Sequence, residues 1–370
     1  MAITRIGNPA IADQRGVNFR NIVINGDMSI AQRGTSQASI TSNEYYTCDR
    51  WLLTGSGTGT WGTWTQSQST DVPSGQGFAK SFKLDCTTAR ASLGTSDNLT
   101  LQHRIEGQNL QYLKKGTSSA ESLTLSFWVK SSKTGIYIAE IRDQDNSRVY
   151  GQQYTISSAN TWEKKTLTYV GDTTGTLDND NSDSIRILFF LVAGTDFTSG
   201  TLPNAWSTST NANRAVGQVN LADSTSNEWY ITGVQLEAGQ VASDFEFLPF
   251  DVNENRCLRY CLKIGSIDSS NYEKFGIGSN TGTTQTFGIT PFPVPMRTQP
   301  SLTVTSTASD YGLYNTGDKA CTSVPVLNTN TTDKVGCVTF TVASGLTSGG
   351  ASILQENNNS GAYLIWSAEL

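Results

Sequence analysis

The chain has 370 residues, enough for two or three domains that each bury a core, and only 16% of the residues are charged. Its formal net charge is -6, and because phosphate binding needs clustered Lys and Arg, nucleic acid is not expected as a main partner. No run of about 18 apolar residues occurs, so the sequence predicts no membrane insertion.

The first twenty residues show little periodicity and contain Gly7, Pro9 and Gly16. Residues 1–20 are therefore predicted to form an extended arm that needs a partner to become ordered. The arm has no apolar core and no small-residue cleavage site, so it does not read as a secretion signal. Release by cell lysis, as part of a virus particle, is one route by which such a chain would reach the outside.

From residue 21 onwards, short segments alternate apolar and polar residues at a period of two, which predicts strands with one buried face. The clearest are 124–130 and 229–237, about a hundred residues apart, and a long polar loop at 195–226 precedes the second. Further strands are predicted at 21–27, 45–53, 78–85, 136–143, 151–155, 162–169 and 185–192. Strands at this spacing predict an all-β fold with a jelly-roll β-sandwich over residues 21–250.

A single helix is predicted after the sandwich, over residues 251–264. Asp251 and Glu254 have the spacing of a capping box, and Gly265 suits the helix end. Alternating segments return after it, and a smaller C-terminal β domain is predicted over residues 265–370.

Residues that could carry out catalysis are few. His103 is the one histidine, and no Gly-x-Ser-x-Gly elbow, phosphate loop or dinucleotide fingerprint occurs. We read His103 as a partly exposed strand or turn residue. Two carboxylates could still cleave a glycoside, but sequence cannot set their separation, and a non-enzymatic protein is expected. The candidate pairs are Asp143 with Asp145, Glu106 with Glu140, and Glu237 with Glu246.

Two weaker patterns concern calcium and a disulfide. Asp178, Asp180 and Asp183 offer oxygen ligands near alternate positions, so structural calcium is the one cofactor considered, and a solvated turn is the alternative. Cys321 and Cys337 flank a short loop and could form a disulfide, with free buried thiols as the alternative.

Aromatic residues in polar loops suggest a sugar site, because flat rings stack on sugar rings and neighbouring amides supply hydrogen bonds. Packing inside the protein or against another subunit is the alternative. By contrast, Trp128, Trp162 and Trp229 fit the strand pattern and are read as core. The candidate glycan-binding residues are Trp61, Trp64, Gln66, Asn204 and Trp206.

Several segments, taken in order, resemble a family of bacteriophage tail-fibre and virion structural proteins. Residues 21–34 read Asn-Ile-Val-Ile-Asn-Gly-Asp-Met-Ser-Ile-Ala-Gln-Arg-Gly, and residues 48–51 read Cys-Asp-Arg-Trp. The other matching segments are 104–107, 123–130, 233–239, 244–246, 255–260, 292–297 and 366–370. The match covers nearly the whole chain from residue 21, and the central part also resembles jelly-roll carbohydrate-binding modules.

The resemblance implies a tail fibre or appendage on the surface of the phage particle that attaches to a host-surface glycan. Residues 1–20 would contact other virion proteins. A homotrimer is expected, since the predicted helix has an apolar face formed by Val252, Cys257, Leu258, Cys261 and Leu262. Two alternatives stay open: a capsid decoration or head-fibre protein that stabilises the shell or sticks to surfaces, and a depolymerising tailspike. The regular β-helix repeat typical of tailspikes is not found.

Overall fold

The computed structural model describes residues 19–57, 61–265, 272–359 and 361–370. Within them, two antiparallel sheets form a sandwich, and a three-stranded sheet and a closed six-stranded barrel follow. The predicted fold class, a jelly-roll β-sandwich followed by a short helix and a smaller C-terminal β domain, is confirmed. Most of the predicted arm, residues 1–18, lies outside the described residues. In the described part, no helix has the length and apolar character needed to span a membrane.

The sandwich is built mainly from the alternating segments. Its strands are β1 (Ser36–Ile40), β2 (Trp51–Ser56), β3 (Thr63–Ser69), β4 (Ser81–Thr88), β5 (Asn98–Glu106), β6 (Leu123–Ser131), β7 (Gly135–Asp143), β8 (Arg148–Ile156), β9 (Glu163–Tyr169), β10 (Asp183–Ala193), β11 (Ser207–Thr208) and β12 (Glu228–Ala238). Sheet A has the strand order β1-β3-β4-β12-β6-β9, and sheet B has the order β11-β8-β7-β10-β5-β2.

The core lies between the two sheets. It contains many fully buried rings, among them Trp51, Phe82, Phe127, Phe189 and Trp229. Burying one such side chain contributes about 1.5–3 kcal/mol, so these rings fix the register of their strands. The strand predicted at 21–27 is instead a bent segment. Its backbone bonds to β12 at only two places, through the amides of Ile22 and Val234.

The outer face of sheet B is covered by the chain itself. Phe190 and Ile138 point outwards from β10 and β7 and pack against Phe197, which belongs to the short helix α1 (Thr195–Thr198). Arg214, in the same long segment, donates hydrogen bonds of 2.6 and 2.9 Å to the buried carboxylate of Glu140. The polar loop predicted at 195–226 therefore closes an apolar sheet face.

The second part of the chain begins with helix α2 (Phe250–Leu258), which is shorter than the helix predicted over 251–264. Asp251 lies inside it and makes no capping hydrogen bond, and a strand starts at Cys261. The remaining strands are β13 (Cys261–Gly265), β14 (Lys274–Asn280), β15 (Gln285–Pro291), β16 (Ser301–Val304), β17 (Tyr311–Tyr314), β18 (Asp318–Leu327), β19 (Val335–Val342), β20 (Ala351–Glu356) and β21 (Tyr363–Ser367). The small sheet has the order β13-β21-β16, and the barrel is β14-β15-β19-β18-β17-β20. Single-turn 3₁₀ helices lie at Gly107–Asn109, Gln111–Leu113, Asn211–Asn213, Leu221–Asp223 and Ala308–Asp310.

The predicted Cys321–Cys337 disulfide is wrong, because all six cysteines are buried free thiols. The register of β18 and β19 places Cys321 opposite Val342, and Val342 lies five residues (342 minus 337) beyond Cys337. At about 3.3 Å per residue, this places the two cysteine Cα atoms roughly 16 Å apart, whereas a disulfide needs less than about 7 Å. Burial also raises the pKa of Cys321 to about 12, so its thiol stays protonated.

The sandwich and the C-terminal part meet at a buried ionic junction. Arg50, just before β2, is fully buried and forms an ion pair with Glu369, while its guanidinium lies 3.5 Å from the ring centre of Tyr260. At the end of β5, the buried carboxylate of Glu106 accepts hydrogen bonds from Arg259, at 2.7 and 2.8 Å, and from the hydroxyl of Tyr260. Residues more than 300 positions apart are thus held by paired charges out of water.

Replacing Glu369 by Gln should destabilise the protein by about 3–5 kcal/mol, because Arg50 would remain buried without a counter-charge. Urea unfolding followed by circular dichroism measures the loss. Lys114→Gln is the control, since Lys114 is half exposed and its pair with Glu121 should contribute less than about 1 kcal/mol. Equal losses for the two variants would contradict the junction's structural role.

Candidate functional site

Sheet A offers the more open outer face of the sandwich. Its outward side chains include polar, charged and aromatic groups. The 70–80 loop crosses part of it, and residues 243–246 cover the end of β12 that carries Gln235 and Glu237. In the 70–80 loop, the backbone carbonyl of Asp71 accepts a hydrogen bond from Ser81, and that of Lys80 accepts one from Thr232. The rest of the face is therefore the first candidate for a functional surface.

An aromatic and basic row crosses this face. The strand register pairs Lys83 with Tyr230 and Tyr230 with Lys130, across β4, β12 and β6. The Lys130 ammonium lies 4.2 Å from the ring centre of Tyr230 and 5.6 Å from that of Trp162. The Trp162 and Tyr230 rings meet edge to face at 6.1 Å. Such cation–π and edge-to-face contacts hold the rings in fixed orientations.

Trp128 extends this row by one position. It points outwards from β6, between Thr232 of β12 and the exposed Lys164 of β9. Trp128 and Trp162 are both half-buried, so part of each indole is open to solvent, whereas Tyr230 is buried beneath the lysines. We call Trp128, Lys130, Trp162, Lys164 and Tyr230 the aromatic platform.

Two carboxylates pair with the lysines Lys130 and Lys83 of the aromatic and basic row. Asp71 pairs with Lys130 and accepts a 2.9 Å hydrogen bond from the Trp162 indole, and Glu228 accepts hydrogen bonds of 2.7 Å from both Lys83 and Tyr230. Burial opposes ionisation of both carboxyls, but these hydrogen bonds lower the pKa of each. Burial and the bond to Glu228 raise the pKa of Tyr230 to about 12. At neutral pH the face thus presents fixed donors and acceptors in near-neutral pairs.

The predicted glycan surface is wrong at three of its five residues. Trp64 is fully buried, Trp61 is only 6% exposed, and Gln66 is buried and donates a 2.6 Å hydrogen bond to Thr47. All three lie on or just before the inner side of β3. Gly55 explains the glycine content of this region, since a Cβ there would lie 2.3 Å from Nε1 of Trp61. Glycine here makes room for a core ring.

Trp206 and Asn204 lie at the edge of sheet B, away from the core tryptophans. Trp206 is half-buried, donates a 2.8 Å hydrogen bond to the carbonyl of Val170, and packs edge to face on Tyr150. Asn204 is exposed. The five predicted residues therefore do not form one surface.

The platform was missed in the sequence because Trp128 and Trp162 were both assigned to the core with Trp229, and both assignments are wrong. Strand parity distinguishes Trp128 from Trp229: Trp128 is out of phase with Phe127 and Val129, whose side chains are buried between the sheets. Trp229 is in phase with the buried Ile231, so its core assignment is correct, whereas Tyr230 faces outwards. An aromatic residue at an outward position was the signal available in the sequence.

The predicted calcium ligands do not form a metal site. Asp183 is engaged by Arg186 at 2.5 Å, Asp180 accepts hydrogen bonds from Ser182, and Asp178 is exposed. In the described residues, no group of three or more His, Cys, Asp or Glu side chains is arranged to hold a metal ion. The solvated-turn alternative fits this segment.

The other residues considered for catalysis, His103 and the candidate carboxylate pairs, are held by hydrogen bonds or ion pairs within the fold. His103 is buried on β5, contrary to the expected partial exposure, and its Nε2 accepts a hydrogen bond from the amide of Ile24. Burial, with Arg50 nearby, lowers its pKa well below the ordinary value. The carboxylates of the candidate catalytic pairs are held as follows: Glu106 by Arg259, Glu140 by Arg214, Asp143 by Lys115, Asp145 by the amide of Asp178, Glu237 by Ser243 and Glu246 by the amide of Asn21.

Comparison with known proteins finds similarity among solved structures. No protein-family model matches the chain, and no curated protein matches it. Among solved structures, it is similar to the enzymatically active domain of tailspike protein 4 of bacteriophage CBA120, with 16% identity and a TM-score of 0.31 over 59% of this chain. The match spans only 21% of that tailspike chain.

Two carbohydrate-binding modules show the same kind of likeness. A family 11 module from Clostridium thermocellum, solved with a mixed-linked tetrasaccharide, has 12% identity and a TM-score of 0.25 over 56% of this chain and 99% of its own. The module TmCBM61, solved with β-1,4-galactotriose, has 10% identity and a TM-score of 0.25 over 59% of this chain and 99% of its own. These similarities concern the β-sandwich fold alone.

Proposed function

We propose that this protein is a non-enzymatic component of a phage particle, a tail fibre or appendage, that attaches the particle to host-surface glycans through the aromatic platform. The observation that carries the proposal is the pair of half-buried indoles, Trp128 and Trp162, which remain partly open to solvent on the more open sheet face. The order of segments that resemble phage virion proteins supports the particle location.

The chemistry of the platform suits a sugar chain. An indole face packs against the apolar face of a sugar ring, and the ring's hydroxyls need donors and acceptors around it. Lys130, Lys164 and Asp71 supply these groups beside the indoles, and two of them are held by their mutual ion pair. A rigid site loses little conformational entropy when a ligand binds. This helps the site to bind a ligand that makes only weak, polar contacts.

A homotrimer is the second part of the proposal, because linked copies turn weak single contacts into strong attachment. The helix face predicted for this contact is not available, since Cys257 and Cys261 are fully buried within their own chain. The barrel offers another surface. The strand register aligns four apolar side chains on its outside, two of them 65% and 47% exposed: Ile277, Ile289, Ile353 and Tyr314.

Trp128→Ala and Trp162→Ala should each raise the dissociation constant for a bound oligosaccharide about 5- to 30-fold, since a lost stacking ring costs roughly 1–2 kcal/mol. A glycan array identifies the oligosaccharide, and isothermal titration measures the change. Trp206→Ala is the matched control, because Trp206 is also half-buried but lies on sheet B. If no arrayed glycan binds the intact protein, the capsid-decoration alternative is favoured.

Light scattering should give the wild type a mass of about 120 kDa, three times the chain mass of 39.9 kDa. Ile277→Lys with Ile289→Lys should yield monomers, because the charges would lie in the apolar row without partners. Val326→Lys is the control, since Val326 is exposed on the barrel but outside the row. A monomeric wild type at micromolar concentration would overturn the trimer.

A further inference from the structure

A cavity of about 440 Å³ lies where the sandwich meets helix α2, separate from the platform. Its walls come from the segment before β1, from β5 and the turn after it, and from α2. Arg104, Arg256 and Arg259 line it, and no acidic side chain does. Its volume falls in the range of small-molecule sites, about 300–1,000 Å³.

Arg256 is the arginine that the structure leaves unpaired there. Its Nη1 is shielded from solvent and has no hydrogen-bond partner among the described residues, and its Nη2 lies 3.4 Å from the carbonyl of Asn21. Burial lowers the pKa of Arg256, and Glu246 is the carboxylate that acts in the opposite direction. Arg259, one turn further along the chain, is fully engaged by Glu106.

The other walls are neutral and suited to a sugar. His103 is buried and accepts a hydrogen bond at Nε2, so the cavity's charge comes from its arginines. The phenol ring of Tyr112 is 50% exposed at the rim, and the exposed amides of Gln108 and Asn109 lie beside it. Amides and an aromatic face are the groups that bind ring hydroxyls and C–H surfaces.

We propose that this cavity binds an acidic sugar, with the sugar's carboxylate on Arg256 and its ring against Tyr112. A guanidinium donates parallel N–H groups to a carboxylate, and Arg256 lines the cavity together with Arg104, so an anion bound here faces a positively charged wall. The cavity volume suits one or two sugar units. This inference rests on the proposed glycan-binding function but assigns it a second site and a class of sugar.

The test compares D-glucuronic acid with D-glucose, which differ only in the carboxylate at C6. Saturation-transfer NMR with the full chain should show binding of glucuronic acid at least tenfold tighter than that of glucose. Arg256→Gln should weaken glucuronic acid binding about tenfold or more, and Arg256→Lys should weaken it less because the charge remains. Tyr112→Ala, at an exposed rim position, should weaken it several-fold without affecting folding.

Arg142→Gln is the matched control, because Arg142 is also half-buried with a pKa lowered by burial but does not line the cavity. It should bind glucuronic acid as the wild type does, and so should Trp128→Ala, so failure at the platform and failure here are distinguishable. Equal binding of glucose and glucuronic acid, or unchanged binding by both Arg256→Gln and Tyr112→Ala, would overturn the proposal. Displacement of glucuronic acid by a poly-glutamate peptide at lower concentration would also overturn it, in favour of an acidic protein partner.

Discussion

The ion pair between Arg50 and Glu369, stacked on Tyr260, is the interaction on which the rest of the structure depends. A buried charge is stable only when it has a partner at good geometry. Arg50 therefore fixes the positions of Glu369, which follows β21, and of Tyr260, which precedes β13. Segments from distant parts of the sequence converge here: 21–34 supplies Gln32 and Arg33, and 48–51 supplies Arg50. Gln32 donates a 2.8 Å hydrogen bond to the carbonyl of Cys261, and Arg33 pairs with Glu369 at 3.3 Å. These segments therefore form the contact between the two parts of the chain.

The junction also accounts for the cavity beside it. Glu369 pairs with both Arg33 and Arg50, and Glu106 pairs with Arg259, whereas Arg256 makes no ion pair within the part of the chain that the structure describes. Burial raises the pKa of Asp49 to about 6 despite the nearby Arg33, so this carboxyl loses its charge as the pH falls through about 6. On the aromatic platform, by contrast, Lys130 is paired with Asp71. The ligands proposed for the two surfaces differ accordingly: a neutral sugar chain on the sheet and an acidic sugar in the cavity.

The fold could be predicted because a strand with one buried face alternates apolar and polar residues at a period of two, as β6 and β12 do. The C-terminal end of helix α2 could not be predicted, because the apolar residues Cys261 and Leu262 fit a helix face and a strand equally well. The Cys321–Cys337 disulfide was wrongly predicted for a similar reason, since the separation of two residues in the sequence does not determine the register in which their strands pair. Trp61 and Trp64 were misread as surface loop residues because their glycine- and threonine-rich segment lacks a clean strand pattern, whereas Gly55 makes room for a core indole. The outward position of Trp128 was readable from parity, but the crossing of the 70–80 loop and the cavity are tertiary features that no local pattern encodes.

Differential scanning calorimetry of the full chain at pH 7 tests most directly whether the junction makes the two parts one structural unit. The account predicts a single transition in which the calorimetric and van't Hoff enthalpies agree, because neither part can unfold without exposing the other's buried charges. Two resolved transitions, with the sandwich and the barrel melting independently, would contradict it.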